Sequence, residues 1–343
     1  MSIVAVFPGQ GAQHVGMGKS LAENFRRAKE TFEEASDAIH VDLRKLCFEG
    51  PESDLTLTEN TQPALLTVSV AAFRVAAEEL GFKPSAVAGH SLGEYSALVA
   101  AGCLPLAAAA GWVRARGQAM QKAVPVGEGT MAAVMGLDDM QVRLLCEVAT
   151  AEAVQKRKDG RTQKTFNVEA VVEPANFNSP GQVVVAGSVD GVGTALEILK
   201  SGDPRFSGGK AIPLDVSAPF HCRLMAPARE RMESLFSDAV PAHRPRPLAC
   251  PYVPNRTATL TADESGVFAR LVEQVDHPVL WKQSVVHLLQ GGQTQFVELG
   301  PGKVLQGLVK RIAKAEKVEA GAIGMGDKDT FDALASWLKE KSK

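Results

Sequence analysis

Ser91 lies in a short pattern that is typical of a reactive serine. Residues 89–93 read G-H-S-L-G, the G-x-S-x-G pattern of a nucleophile elbow, in which a serine sits on a sharp turn between a strand and a helix. An apolar run precedes the pattern and an apolar segment beginning near Leu92 follows it. The pattern therefore predicts an exposed hydroxyl at a helix N-terminus, where backbone N–H groups stabilise developing negative charge. A plain glycine turn is the alternative interpretation.

Gln10 lies in a second glycine-containing loop. Residues 9–13 read G-Q-G-A-Q and follow the apolar run at residues 3–7, which predicts a buried parallel strand. Ligands of open α/β sheets bind at the carboxyl ends of the strands, so the backbone N–H of Gln10 is a candidate oxyanion donor. An ordinary strand-to-helix turn explains the same residues equally well.

His221 has the best context for a catalytic base among the seven histidines. It follows the sequence D-V-S-A-P-F and precedes a helix expected from about Arg223, which favours a side chain that projects into a cleft. His90 also has a suggestive position, within the elbow. We expect its side chain to point away from Ser91 and to orient the loop.

Arg116 places a cation on the apolar face of a predicted helix. In the segment after Pro105, residues such as Trp112, Val113 and Met120 fall on one helical stripe, and Arg116 falls in the middle of it. An isolated buried charge is costly, so Arg116 needs a partner. It is either half of a structural ion pair or a guanidinium that holds a substrate carboxylate in bidentate fashion.

The composition is that of an ordinary globular protein and excludes some classes of partner. The 343 residues suffice for about two domains. Hydrophobic residues make up 45% and charged residues 22%, with a net charge of -2 at pH 7. Because this balance gives no overall basic field, we expect neither nucleic acid nor an anionic membrane as a partner. The longest apolar window, near residues 97–113, is broken by glycine and proline and is too short to span a bilayer.

The cysteines and the N-terminal segment favour a reducing cytoplasm. The five cysteines are scattered and show no C-x-x-C spacing, so we expect neither a disulfide framework nor a metal site. The first nine residues read M-S-I-V-A-V-F-P-G. They have no basic start and only a short apolar run, so we expect no secretory signal.

The order of predicted elements indicates an α/β fold in two parts. Residues 130–216 alternate strand, helix, strand, strand, helix and strand, the order of a ferredoxin-like unit. We therefore expect an inserted ferredoxin-like subdomain at residues 130–207. Residues 1–129 and 208–343 are expected to form a large domain with an α/β-hydrolase-like core and a parallel sheet.

The sequence also predicts the structure of three further segments. An apolar helix is predicted over residues 63–80, with Pro63 in its first turn. The basic residues between positions 155 and 166 are interpreted as a solvated loop or as a handle for an acidic protein partner. Residues 296–302 are predicted to form the last strand, which leads into a helix at residues 303–314. The tail past Glu316 is expected to be peripheral and to end in a short helix from Asp329.

Six motifs occur in one order along nearly the whole chain. They are F-P-G-Q-G-A-Q at 7–13, G-H-S-L-G-E-Y-S-A at 89–97, R-G at 116–117, N-F-N-S-P-G-Q at 176–182, A-P-F-H at 218–221 and E-L-G-P-G-K-V-L at 298–305. In this combination the chain resembles the malonyl-CoA:acyl carrier protein transacylase family, which includes the acyltransferase domains of fatty acid and polyketide synthases.

The resemblance implies a role for each candidate residue. Ser91 would be the nucleophile, His221 the general base and Arg116 the clamp for the substrate carboxylate. The backbone N–H groups of Gln10 and Leu92 would form the oxyanion hole. We expect no metal in the site.

Family members usually orient the histidine with a main-chain carbonyl, and Gln274 occupies the matching position before H-P at 277–278. In related synthase domains a leucine after the serine and a phenylalanine before the histidine go with malonyl substrates, so Leu92 and Phe220 indicate malonyl. The chain departs from the family at about residues 147–167, where it has extra residues.

The resemblance also implies the reaction and its partners. A malonyl group would pass from malonyl-CoA to the phosphopantetheine thiol of acyl carrier protein in fatty acid synthesis. No bound cofactor is expected, and we expect a monomer. A discrete acyltransferase or an acyl hydrolase of a polyketide pathway is the alternative, because it would use the same residues.

Overall fold

The structure, a computed structural model, describes residues 2–161 and 166–341. Within these residues the chain forms nine strands: β1 Ile3–Phe7, β2 Ala86–Gly89, β3 Gly129–Met135, β4 Val172–Ser179, β5 Gln182–Ser188, β6 Lys210–Pro213, β7 Tyr252–Val253, β8 Gln295–Leu299 and β9 Gly321–Met325.

The same residues form fourteen α-helices: α1 Lys19–Asn24, α2 Arg26–Ile39, α3 Leu43–Glu49, α4 Glu52–Leu55, α5 Thr58–Leu80, α6 Gly93–Ala100, α7 Leu106–Lys122, α8 Asp139–Lys158, α9 Val189–Lys200, α10 Ala226–Ser237, α11 Val267–Glu273, α12 Trp281–Gln290, α13 Val304–Ala315 and α14 Lys328–Lys341. None of these helices is both long enough and apolar enough to cross a bilayer.

One compact unit contains Met1–Gln118, Ser234–Phe268 and Ser284–Lys343. It carries a parallel sheet in the order β7-β2-β1-β8-β9. Strand β1 is an unbroken apolar run and is buried throughout, as expected for a parallel strand covered on both faces. The register pairs Phe7 with Gly89. The loop after β1 and the turn after β2 therefore leave the sheet side by side, at the edge where α/β proteins bind ligands.

A second compact unit contains Ala119–Glu233 and Ala269–Gln283. Its sheet is antiparallel, in the order β4-β5-β3-β6. Leu145 of α8 and Ile198 of α9 pack in one core with residues of the sheet, among them Phe177 of β4. The expected α/β class, with a parallel sheet, is confirmed, and an antiparallel sheet accompanies it.

Strand β9 contradicts the expectation that residues 296–302 form the last strand. Met325 pairs with Leu299 of β8, and β9 forms one edge of the parallel sheet. Its sequence, G-A-I-G-M, contains two glycines and one β-branched residue, so its intrinsic strand signal is weak. Pairing with a neighbouring strand outweighs that low propensity.

Helix α5 begins five residues earlier than the sequence predicts, at Thr58, so the placement of Pro63 in the first turn was wrong. The additional turn is polar in sequence, yet Thr58, Thr61 and Gln62 are buried. From the sequence alone, a polar segment before an apolar helix is interpreted as a loop, because its burial by the rest of the fold is not known. This extension places Gln62 on a helix that faces the interior.

The basic segment is not simply a solvated loop, because α8 continues through Lys158. The guanidinium of Arg157 donates to both oxygens of Asp190, at 2.6 and 2.8 Å. The ammonium of Lys156 lies 2.6 Å from the Glu197 carboxylate. Arg161 pairs with Asp159 at 2.6 Å. Three cations of the segment are thus paired within the second unit, and Lys164 lies outside the described residues.

Glu298 ends strand β8 with a fully buried carboxylate. Its oxygens accept the backbone N–H groups of Leu305 at 3.1 Å and Gln306 at 2.9 Å, in the first turn of α13. Burial raises the pKa of Glu298 above its ordinary value of 4.5, against the opposing effect of these two hydrogen bonds.

This pKa shift predicts how stability depends on pH. Because the folded pKa of Glu298 is higher than the unfolded one, its contribution to stability is greatest at low pH and is lost as the pH rises through the folded pKa. The variant E298Q cannot titrate at this position. We expect the melting temperature of the wild type, relative to E298Q, to rise between about pH 8 and about pH 5. Thermal unfolding followed by circular dichroism checks this, and a difference that is constant or falls would contradict it.

Candidate active site

The backbone at Ser91 has the strained geometry of a nucleophile elbow. Ser91 connects β2 to α6 and has a φ of 53°, in the left-handed region. That region costs a residue other than glycine about 1–2 kcal/mol. The surrounding structure must therefore impose the conformation, as is common where a side chain has to be presented at a functional site.

Both glycines of the pattern are required by close backbone contacts. A Cβ on Gly89 would lie 1.9 Å from the carbonyl oxygen of Gly93. A Cβ on Gly93 would lie 2.1 Å from the carbonyl oxygen of Phe7, at the end of β1. Since no side chain fits at these distances, the glycines allow the elbow to pack directly on the neighbouring strand.

The loop after β1 also packs against the elbow. A Cβ on Gly9 would lie 2.5 Å from the carbonyl oxygen of His90, and His90 donates its backbone N–H to Phe7 at 3.0 Å. Within the described part of the chain, the backbone N–H groups of Gln10 and Leu92 have no protein acceptor. Two N–H donors are thus available in adjoining loops, as an oxyanion hole requires.

Arg116 is 1% exposed and lies beside Ser91. Its Nη2 donates to Ser91 Oγ at 3.2 Å, and its Nη1 donates to Gln62 Oε1 at 2.9 Å. The guanidinium carbon lies 5.9 Å from the centre of the Tyr95 ring. Burial lowers the pKa of Arg116, and the electrostatic influence of Tyr95 and Glu94 opposes this shift. A cation is therefore held against the candidate nucleophile.

Gln62 is a site residue that the sequence pattern did not reveal. It is 2% exposed and lies on α5, whose early start brings it to Arg116. The two helices approach closely, because a Cβ on Gly117 would lie 2.7 Å from the carbonyl oxygen of Thr58. In the sequence, the glycine after Arg116 was the one indication that another helix packs closely at this point.

His221, in the second unit, is 3% exposed and has a φ of 62°. Its Nδ1 lies 2.8 Å from the main-chain oxygen of Gln274, which is also buried. A carbonyl oxygen only accepts hydrogen bonds, so Nδ1 carries a proton and, in the neutral imidazole, the lone pair is on Nε2. A neutral group thus sets the tautomer that a general base needs.

The segment around His221 is fixed on both sides. Pro219 packs on the start of β3, where a Cβ on Gly129 would lie 2.4 Å from its ring. The thiol of Cys222 donates to the Pro219 carbonyl at 3.1 Å, and burial raises the thiol pKa to about 12. Arg223 donates its backbone N–H and its Nε to Glu173, at 2.8 and 2.7 Å.

The residues expected from the sequence occur in two groups, one in each unit. The first unit brings Ser91, Leu92 and Arg116 together with the loop that carries Gln10. The second unit brings His221 and the largely buried Phe220 together with Gln274. Within residues 2–161 and 166–341, no group of three or more His, Cys, Asp or Glu side chains is arranged to hold a metal ion.

The sequence also matches a known protein family. The model of the acyl transferase domain matches residues 4–339. The chain belongs to the acyl transferase domain family. This confirms the relationship that the six motifs indicate, and it covers both units.

Two similar proteins are malonyl CoA-acyl carrier protein transacylases. The protein of Bacillus subtilis (strain 168) is 41% identical over 340 residues, covering 99% of this chain and 98% of its own length. The protein of Escherichia coli (strain K12) is 42% identical over 307 residues, covering 90% and 91%.

Solved structures of malonyltransferases are also similar to this chain. The acyl-carrier-protein S-malonyltransferase of Burkholderia pseudomallei 1710b has a TM-score of 0.86 at 40% identity, covering 98% of this chain and all of its own. A malonyl-transacylase in complex with a type II polyketide synthase acyl carrier protein has a TM-score of 0.86 at 37% identity, covering 98% and 99%.

The contact of Gly93 with strand β1 predicts a large effect of adding one methyl group. We expect G93A to lose about 2–4 kcal/mol of stability and to disturb the elbow, because its Cβ would meet the fixed carbonyl of Phe7. Gly111 is a matched control, since it lies within α7 and a Cβ there has open space. G111A should gain about 0.5–1 kcal/mol from helix propensity. Thermal melts of the two variants check this, and equal melting temperatures would contradict it.

Proposed function

We propose that the chain transfers a malonyl group from malonyl-CoA to the phosphopantetheine thiol of acyl carrier protein, and so supplies fatty acid synthesis. The observation that carries this proposal is the hydrogen bond from the buried Arg116 guanidinium to Ser91 Oγ, at 3.2 Å. It combines a nucleophile with a cation suited to a carboxylate-bearing acyl group. The names of the relatives support the same activity.

The first half-reaction would form a malonyl ester on Ser91. His221 Nε2 accepts the hydroxyl proton as Oγ attacks the thioester carbon. The backbone N–H groups of Gln10 and Leu92 stabilise the tetrahedral oxyanion. The carbon–sulfur bond then breaks, the imidazolium returns its proton to the sulfur, and coenzyme A leaves as the free thiol.

The second half-reaction would reverse these steps with another thiol. The phosphopantetheine thiol of the carrier gives its proton to His221 and attacks the ester carbon. The ester bond to Ser91 breaks, and Oγ takes the proton back from the imidazolium. Water in place of the thiol would give hydrolysis, so the measured ratio of transfer to hydrolysis separates a transferase from an acyl hydrolase.

Substrate selection would depend on Arg116, with Leu92 and Phe220 shaping the acyl pocket for malonyl. The tautomer of His221 would be set by the Gln274 carbonyl, which supports the proposed orienting role. A similar structure contains an acyl carrier protein of a type II polyketide synthase. A discrete acyltransferase of a polyketide pathway is therefore the second candidate, and carrier preference distinguishes the two.

The finer description of the fold is part of the proposal. We propose an α/β-hydrolase-like core at residues 1–129 and 208–343, with a ferredoxin-like subdomain at 130–207. The order β3-α8-β4-β5-α9-β6 and the strand order β4-β5-β3-β6 support the subdomain. The second compact unit extends beyond those bounds, to 119–233 and 269–283. A cytoplasmic location is supported by the five free cysteines.

Covalent catalysis predicts an acyl-enzyme that can be isolated. Wild-type protein incubated with malonyl-CoA, without carrier, should gain the mass of one malonyl group, and S91A should gain nothing. H221A should form the adduct about 10²- to 10⁴-fold more slowly, because the general base is lost. Intact-protein mass spectrometry with rapid quenching measures both the adduct and its rate.

Exposed Ser336, on α14, provides a control for non-specific acylation, and S336A should behave as the wild type. Absence of an adduct on the wild type, or an adduct that persists on S91A, would rule out Ser91 as the nucleophile.

Selection by Arg116 predicts opposite effects on two acyl groups. R116A should slow malonyl transfer on the order of 10²-fold, since removal of one partner of a buried charge pair costs about 2–5 kcal/mol. Acetyl transfer should be unchanged or faster, because acetyl carries no charge to pair. Rates of transfer from malonyl-CoA and acetyl-CoA to a carrier protein test this.

K122A, which removes an exposed cation from the same helix, should change neither rate. Equal loss of both activities in R116A would instead indicate that Arg116 has only a structural role.

A further inference from the structure

Asn255 is a buried amide that adjoins the elbow. It follows strand β7, which pairs with β2 through the register Val87 to Tyr252 and Ala88 to Val253. The carboxyl ends of these two parallel strands therefore lie side by side. Asn255 is 1% exposed, so its polar groups are satisfied inside the first unit and not by solvent.

The side chain of Asn255 bridges Ser91 and Gly89, which lies two residues before it. Its Oδ1 accepts the backbone N–H of Ser91 at 2.6 Å, and its Nδ2 donates to the carbonyl oxygen of Gly89 at 2.5 Å. Its own backbone N–H donates to Glu94 Oε2 at 3.0 Å. Three hydrogen bonds thus connect one residue to positions 89, 91 and 94, on both sides of the turn.

This connection requires an amide. Ser91 offers a donor and Gly89 offers an acceptor, so the bridging group must accept at one atom and donate at the other. A carboxylate of the same shape would place an oxygen against the Gly89 carbonyl. An apolar side chain would remove both hydrogen bonds, and a buried backbone group left without a partner costs about 1–3 kcal/mol.

We propose that Asn255 is a positioning residue for the reaction of Ser91. It fixes the left-handed backbone of Ser91, whose φ is 53°, and so directs Oγ toward the thioester carbon. Asn255 acts through Ser91 and touches neither substrate nor reacting atoms. This inference rests on the proposed acyl transfer.

The isosteric variant N255D tests the inference through its pH profile. Ionised Asp at this position repels the Gly89 carbonyl, whereas protonated Asp donates to it and restores the bridge. At about pH 8 we expect the malonylation rate of N255D to be lower on the order of 10²-fold, because a displacement of the nucleophile by about 1 Å has an effect of that size. The KM for malonyl-CoA should stay within about twofold of the wild type. The ratio of the N255D rate to the wild-type rate should then increase as the pH is lowered. Taking this ratio cancels the titration of groups that the substitution does not touch. The charged groups at the bridge are Glu94, whose Oε2 accepts the Asn255 backbone N–H, and Arg116, which donates to Ser91 Oγ.

The control is T259A, which removes an exposed hydroxyl from the same segment and should leave the rate unchanged. Melting temperatures of N255D and N255A report any loss of folding separately from the rate. The proposal would be overturned if N255D reacted at the same rate as the wild type. It would also be overturned if the ratio of the N255D rate to the wild-type rate did not depend on pH while KM and kcat changed together. A wild-type protein that forms no malonyl adduct would instead overturn the proposed function.

Discussion

The buried guanidinium of Arg116 is the constraint on which the first unit depends. A cation that is 1% exposed must be surrounded by acceptors, and the structure supplies Gln62 Oε1 and Ser91 Oγ. Those partners require α5 and α7 to approach closely, which the glycine at position 117 permits. The residue types at these positions therefore depend on one another: the charge of Arg116 needs the acceptors Gln62 and Ser91, and their approach needs Gly117.

Backbone strain occurs at both candidate catalytic residues, with φ of 53° at Ser91 and 62° at His221. The means of imposing it differ. At Ser91 the glycines at 89 and 93 allow backbone to pack on backbone, and an amide bridges the turn. At His221 a proline and a paired arginine hold the neighbouring residues. Strained residues of this kind persist only where several independent contacts fix them, which explains the density of contacts around two short turns.

The sequence predicts the parts of this site that have a local signature. The elbow, the loop at 9–13 and the strand β1 are contiguous patterns whose residue types have one dominant structural meaning. Asn255 lies 164 positions from Ser91, and Gln62 lies 54 positions from Arg116. Each is an ordinary amide in a segment without a motif, so only the tertiary fold selects its partner. Strand β9 was wrongly left out for a related reason, because pairing with β8 and not its own propensity makes it a strand.

The hydrogen bond between Arg116 and Ser91 also explains why a charged acyl group would be favoured. In the free protein the serine hydroxyl accepts from Nη2. The proposed acylation of Ser91 would convert that hydroxyl into an ester oxygen, which is a weaker acceptor for the buried guanidinium. A malonyl ester carries a carboxylate that can replace the lost acceptor, whereas an acetyl ester cannot. Selectivity would then arise at the acyl-enzyme as well as on binding, because the same guanidinium needs a partner in both states.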